Sequence, residues 1–222
     1  MTGTHEETDM TRALRGLAHG DASVRLRTAL AVGSAPDPRL VDRLVELCGN
    51  EPDFSVREML TWALTRHPQA LTVPRLMDEL RSEHPQARAQ ALHTLSKTGD
   101  RRAWPAIGRD LLTDPDDEVA RTAWRTAVAL APEGEEAGLA AVLTGQLGRG
   151  GRETRLSLSR ALIALGEAAE PALRTADAHP EPHVREHALA TEALRRDPDA
   201  GFDFAIEEAK RRVALGTDDG TG

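Results

Sequence analysis

The segment DASVRLRTALAV at residues 21–32 is the first of six related segments along the chain, and this repetition indicates the fold. The later copies are DFSVREMLTWAL (53–64), HPQARAQALHTL (84–95), DDEVARTAWRTA (116–127), GRETRLSLSRAL (151–162) and EPHVREHALATE (181–192). When the position of Val24 is taken as zero in each copy, successive copies are 30 to 35 residues apart. A constant spacing of this size is typical of an array of helical repeats.

Each copy predicts an amphipathic helix, since mostly apolar residues recur at positions 0, +4, +7 and +8. A partner helix is predicted before each copy, so the unit is a helical hairpin that must stack on its neighbours to bury its apolar face. Asp21, Asp53 and Asp116 precede their anchors by three residues and are expected to cap the helices. Position +1 is Arg in every copy except the fourth, which has Ala120, and this arginine is expected to bridge to a turn or a neighbouring repeat.

The composition independently favours an all-α fold. The chain has 222 residues with 35 Ala and 28 Leu against 3 Ile, and it has no Tyr. Ala and Leu favour helices, whereas sheet cores are rich in β-branched and aromatic residues. Cys48 is the single cysteine, which excludes an internal disulfide. The acidic N-terminal segment does not look like a signal peptide and no apolar run is long enough to span a membrane, so we expect a cytoplasmic protein.

The pattern D-x-x-V-R-x-x-A-x-x-A-L after a helix that opens with Pro resembles HEAT repeats, and the short period resembles the phycobilisome-lyase type. The resemblance implies an α-solenoid, or α/α superhelix, of about six HEAT-like hairpins over residues 10–215. The helix predicted at residues 202–215 would cap the stack, between a disordered tail at 1–9 and a flexible tail at 216–222. A looser junction is expected in the Gly- and Glu-rich segment 131–151 between the fourth and fifth repeats.

The candidate binding site is the row of side chains that points away from the core. The resemblance implies that the second helix of each hairpin lines a concave surface, and the helical wheel turns positions +2 and +6 outward. Basic and aromatic side chains stand at these positions, namely Trp62, His93, Arg121, Arg125 and Arg160. Because Trp and Arg are enriched in binding hot spots, this row predicts a protein partner with acidic character. The alternative is a solvated helix face that simply carries arginine.

Motifs for catalysis are weak in this sequence. The segment from His183 to His187 matches H-x-x-E-H, a zinc-peptidase signature, but it coincides with the repeat anchor and no third ligand follows. Cys48 and Trp124 read as core residues, and no pair of a nucleophile and a base is recognisable. We therefore expect no metal and no cofactor.

These patterns leave two classes of function open. The first is a non-enzymatic scaffold, a monomer that binds a protein partner on its concave face. The second, implied by the resemblance, is a HEAT-like DNA-binding enzyme of the alkylpurine DNA glycosylase type or a bilin-lyase-like subunit. The net charge of −8 opposes nucleic-acid binding, because duplex binding requires many phosphates to be neutralised.

Overall fold

The structure is a computed structural model that describes residues 3–218, with side chains described for residues 9–215 apart from residue 200. All regular secondary structure in this range is helical, and the range contains no strand. The all-α class expected from composition and repeat pattern is therefore confirmed.

Two compact units make up the chain, Met1–Ala106 and Ile107–Gly222. The division falls within the segment predicted as the first helix of the fourth repeat. It does not fall in the segment 131–151, where the sequence predicts a looser junction.

The described part of unit 1 contains six α-helices in two rows, with α4 contacting α2 and α6, and with α3 contacting α5 on the other side. Their bounds are α1 Gly3–Leu17, α2 Ala22–Ser34, α3 Val41–Asn50, α4 Phe54–Arg66, α5 Gln69–Glu79 and α6 Pro85–Thr98, with 3₁₀ turns at Pro38–Leu40 and Arg101–Ala106. The even-numbered helices are the repeat segments quoted above. Each is preceded by the partner helix that the repeat pattern predicts.

Unit 2 continues the same alternation, with α8, α10 and α12 packed in sequence and α13 packed on α12. Their bounds are α7 Arg109–Leu112, α8 Asp117–Leu130, α9 Glu136–Thr144, α10 Arg152–Ala164, α11 Glu170–Ala176, α12 Pro182–Arg196 and α13 Phe202–Asp218, with 3₁₀ turns at Gly166–Ala169 and Pro198–Ala200. The apolar side of α13 packs on Ala190 and Leu194 of α12 through Phe202 and Ile206. This contact buries the last repeat as the predicted capping helix should.

The predicted apolar face is the buried face in five of the six repeats. The anchors after the first are at most 9% exposed, namely Val56, Ala87, Val119, Thr154 and Val184. Position +4 is equally buried, with Leu60 at 1% and Ala123 at 0% exposure. The first repeat differs, because Val24 and Thr28 are half-buried and Ala31 is exposed.

The helix ends follow local capping chemistry. The Asp53 carboxylate accepts from the Val56 backbone N–H, and Asp116 accepts from Glu118 and Val119. The sequence predicts a disordered tail over residues 1–9, yet α1 begins at Gly3, consistent with the high helix propensity of Glu6 and Glu7. The helix predicted to end at residue 215 extends to Asp218, and residues 1, 2 and 219–222 lie outside the described part.

Candidate functional site

The arginine at position +1 holds the turn that precedes its own helix. In four repeats its Nη1 donates to two successive carbonyl oxygens five and six residues earlier, as Arg57 does to Glu51 and Pro52 at 2.9 Å. The other three are Arg25, Arg88 and Arg185. The predicted bridging role is therefore confirmed in these repeats, and these arginines are not free to bind a ligand.

The fourth repeat has Ala120 at +1, and an arginine from outside the repeated segment holds the turn before its helix. Arg149, in the turn before α10, donates through Nη2 to the Asp114 carbonyl and through Nε to the Asp117 carboxylate at 2.9 Å. The guanidinium therefore comes from the following repeat. Sequence reasoning missed this replacement, because Arg149 lies outside the repeated segment.

Trp62 lies at the surface of α4 against the backbone of α2. Its side chain packs over Gly33, where a β-carbon would overlap the indole ring and lie 2.9 Å from the Cα of Ala63. Trp62 remains 38% exposed, and Leu30 at the same position of the first repeat is 46% exposed. The absence of a side chain at Gly33 thus leaves room for a large aromatic ring against α2, and part of the ring still reaches solvent.

His93 does not extend the aromatic surface, because it faces a carboxylate. Its Nε2 lies 3.2 Å from Oε1 of Glu58, which stands at +2 of the second repeat, and the His93 side chain is 23% exposed. The predicted row in unit 1 is therefore apolar at Trp62 and polar at His93. Glu58 is an acidic neighbour that the sequence row left out.

The three predicted arginines of unit 2 have unequal surroundings. Arg121 and Arg125 both approach the carboxylate of Glu118 on their own helix, at 3.5 and 3.9 Å. Arg125 also donates to the Thr122 hydroxyl at 3.0 Å, yet its side chain stays 52% exposed. Arg160 is exposed and has no charged or hydrogen-bonding partner among the described residues.

The H-x-x-E-H segment does not bring its two histidines together around an open position. His187 is fully buried, with Nδ1 accepting from the Gly148 N–H at 2.9 Å and Nε2 lying 3.0 Å from the Arg155 carbonyl. His183 is exposed instead. Among the described residues, no three His, Cys, Asp or Glu side chains cluster as metal ligands would.

A buried serine beside His187 was not recognised in the sequence. Ser159 Oγ lies 3.0 Å from His187 Nε2 and 2.8 Å from Thr191 Oγ1. Because Gly148 donates to Nδ1, the neutral ring carries its hydrogen on Nε2, and that nitrogen cannot accept the serine proton. The pair is therefore a buried hydrogen-bond network rather than a nucleophile and its base. The only signal for this network in the sequence was the presence of polar residues on a helix face that is otherwise apolar.

Burial controls the titration of two groups near these helices. Desolvation lowers the pKa of His187 to about 4, because the imidazolium would lose its hydration inside the core. Desolvation also raises the pKa of the Cys48 thiol to about 12, so this thiol is inert at neutral pH. The predicted core position of Cys48 is confirmed, as is that of Trp124, whose indole N–H donates to the Leu112 carbonyl at 2.8 Å.

Comparison with known proteins adds no family. No protein-family model matches the chain, and no curated protein matches it. One crystal structure of an engineered protein is 18% identical with a TM-score of 0.47, covering 90% of this chain and 97% of that chain. A second engineered protein is 16% identical with a TM-score of 0.45, covering 91% and 99%. At such low identity and TM-score, neither similarity bears on function.

Within residues 3–218, no helix combines the length and the apolar character that a bilayer span requires.

Proposed function

We propose that this chain is a HEAT-like α-solenoid that acts as a non-enzymatic scaffold and binds a protein partner along the +6 side of its repeat helices. The support for the solenoid is the alternation of two helix rows in each unit and the recurrence of one buried face at one register. A monomer in the cytoplasm is part of the proposal, supported by the single, buried Cys48 thiol.

The observation that carries the proposal is the exposed indole of Trp62 over Gly33. Glycine inside a helix costs about 1 kcal/mol relative to alanine, so the close approach of Trp62 is obtained against local helix preference. A tryptophan that packs against α2 and stays partly exposed, with an exposed Leu30 in the neighbouring repeat, is a preformed apolar anchor. Interface energy concentrates in such anchors.

The acidic character of the partner is supported by the arginines of unit 2. Arg160 has no carboxylate partner among the described residues, and Arg125 is held only loosely by Glu118. Guanidinium groups with free donors bind carboxylates in bidentate geometry.

The test compares the proteins retained from the native source by wild type, Trp62→Ala and Arg160→Ala, quantified by mass spectrometry. Arg101→Ala is the matched control, because Arg101 is also exposed but lies in the 3₁₀ turn Arg101–Ala106 and not on a repeat helix. We expect one partner to be lost with Trp62→Ala, reduced with Arg160→Ala and kept with Arg101→Ala. Its binding to Arg160→Ala should depend less on salt than its binding to wild type.

Two results would overturn this function. Equal retention of every partner by Trp62→Ala and wild type would place binding elsewhere. Tight binding of fluorescent duplex DNA at moderate salt would favour the DNA-binding enzyme that the repeat resemblance also allows.

A further inference from the structure

A groove of about 810 Å³ lies at the first helix pair of unit 1, away from Trp62. Its described lining comes from α1, α2 and the segment that follows α2. The residues with apolar side chains among them are Met10, Ala13, Val24, Ala31, Val32, Ala35 and Leu40. On one side of the groove, α1 packs closely against α2 at Gly16, since a β-carbon at this position would overlap Thr28 of α2. The two walls are thus fixed against each other before any ligand binds.

The repeat register shows what covers the same positions elsewhere in the chain. Position +7 is exposed in the first repeat, at Ala31, but its counterparts Ala63 and Thr94 are 0% exposed. Ala63 lies against Gly33 of the preceding repeat, and Thr94 Oγ1 is 3.3 Å from Thr61 Oγ1 of the preceding repeat. A helix of the preceding repeat covers this face in each case. Within the described residues, no helix of a preceding repeat covers position +7 on α2, although Gly16 of α1 packs against Thr28 at +4.

Arginines surround the apolar floor of the groove. Four of its lining residues are cationic, namely Arg12, Arg15, Arg27 and Arg39. Asp9 pairs with Arg12 at 2.7 Å and Asp37 pairs with Arg39 at 2.6 Å. Arg15 and Arg27 are exposed and have no partner among the described residues. The groove is therefore locally basic in a chain of net charge −8.

We propose that this groove binds an amphipathic helix of a partner protein, apolar on one face and carrying Asp or Glu on both flanks. A helix is the element that covers the same register in the other repeats, and helices in grooves pack through small apolar positions such as Ala13 and Ala31. The acidic flanks would pair with Arg15 and Arg27. A second copy placed face to face would instead bring the same arginines together, which like charges disfavour.

The experiment is a selection from a displayed library of helical peptides that share an apolar seam and have randomised flanks. Wild type is the target, and Ala31→Arg, which fills the floor at an exposed position, is the counter-target. We expect the enriched peptides to carry Asp or Glu on both flanks. Arg15→Glu or Arg27→Glu should weaken the best peptide by about tenfold or more, with a smaller loss at high salt.

Matched controls separate this site from the surface around Trp62. Arg66→Glu reverses an exposed charge outside the groove, and Ala129→Arg adds an arginine at an exposed alanine of α8. Both should bind the peptide as wild type does, and so should Trp62→Ala. A binding loss with Trp62→Ala would show that the peptide uses the surface proposed above, and the groove would have no assigned partner.

Other outcomes contradict the groove proposal directly. No enrichment over the Ala31→Arg counter-target, or enrichment of neutral or basic flanks, would overturn it. A wild-type dimer in sedimentation that Ala31→Arg dissociates would place a second copy in the groove and overturn the proposed partner.

Discussion

Arg25 joins the repeats through one buried carboxylate. Its Nε and Nη2 donate to the two carboxylate oxygens of Glu51, each at 2.7 Å, and the Glu51 side chain is only 3% exposed. Burial by itself would raise the pKa of Glu51, but the hydrogen bonds from Arg25 and from the Asp53 N–H bring it below its ordinary value. The Glu51 carbonyl also accepts from Arg57 and Gln86.

Arg25→Ala should therefore destabilise the fold by leaving the Glu51 carboxylate buried with no guanidinium. Breaking a buried pair by removing one partner is strongly destabilising, and we expect the melting temperature to fall by about 5 °C or more. Thermal unfolding followed by circular dichroism is the measurement. Arg66→Ala, an exposed arginine without this contact, should change it little. Equal shifts of the melting temperature in the two variants would contradict a stabilising role for the pair between Arg25 and Glu51.

His187 makes stability depend on pH in a defined direction. Its pKa falls from 6.5 to about 4 on folding, so the unfolded chain binds the proton first as the pH drops. The contribution of this pKa difference to the free energy of unfolding is fully present above pH 6.5. It is lost progressively down to about pH 4, and the total loss is about 3 kcal/mol. Urea unfolding at a series of pH values measures this loss.

Comparison with variants isolates the share of His187 from that of the carboxyl groups. His187→Gln removes the titration and should flatten the decline between pH 6.5 and pH 4 relative to wild type. His183→Gln removes an exposed imidazole and should leave the wild-type profile unchanged. A parallel profile for His187→Gln and wild type would mean that folding leaves the pKa of His187 unchanged.

At the scale of the element, two helical glycines with different surroundings make opposite predictions. Gly33 in α2 has Trp62 and the Ala63 backbone where a β-carbon would lie, whereas Gly138 in α9 has open space. Gly33→Ala should cost about 1–3 kcal/mol by overpacking, despite the better helix propensity of alanine. Gly138→Ala should gain about 0.5–1 kcal/mol. Urea denaturation of both variants is the measurement, and a stabilised Gly33→Ala would show that Trp62 does not lie against α2.

Helix order and caps could be predicted from the chain, but some helix boundaries could not. Asp21, Asp53 and Asp116 cap the helices as the spacing predicts, because a cap depends only on residues two or three positions away. The repeat pattern predicts a first helix that opens with Pro, but Pro74 lies inside α5, which begins at Gln69. The helix start was misplaced because the repeat pattern is weak in the first helix of each hairpin.

At the scale of the whole molecule, the all-helical composition makes a simple spectroscopic prediction. The far-UV circular dichroism spectrum of the full chain should show the double minimum of a strongly helical protein. Its intensity should match a chain in which helices account for most of residues 3–218. Addition of a helix-promoting alcohol should increase the signal only slightly. A spectrum with a strand minimum would contradict the fold.

The candidate site was only partly accessible from the sequence. The helical wheel placed Trp62, Arg125 and Arg160 outward, and all three are exposed. It also turned position +6 outward in the last repeat, yet Ala190 is fully buried, since α13 packs on it. The pairing of Arg121 with Glu118 and of His93 with Glu58 was not foreseen.

The helical class, the repeat register, the caps and the buried face follow from local sequence, because periodicity and capping depend on residues within about two turns of helix. Packing between distant helices controls which positions of that register stay exposed. Ala31 and Ala63 occupy the same repeat position. Ala63 packs against Gly33 of the preceding repeat, whereas no described residue of a preceding repeat packs against Ala31. Exposure depends on contacts between distant segments, and a local pattern carries no information about which neighbour is missing.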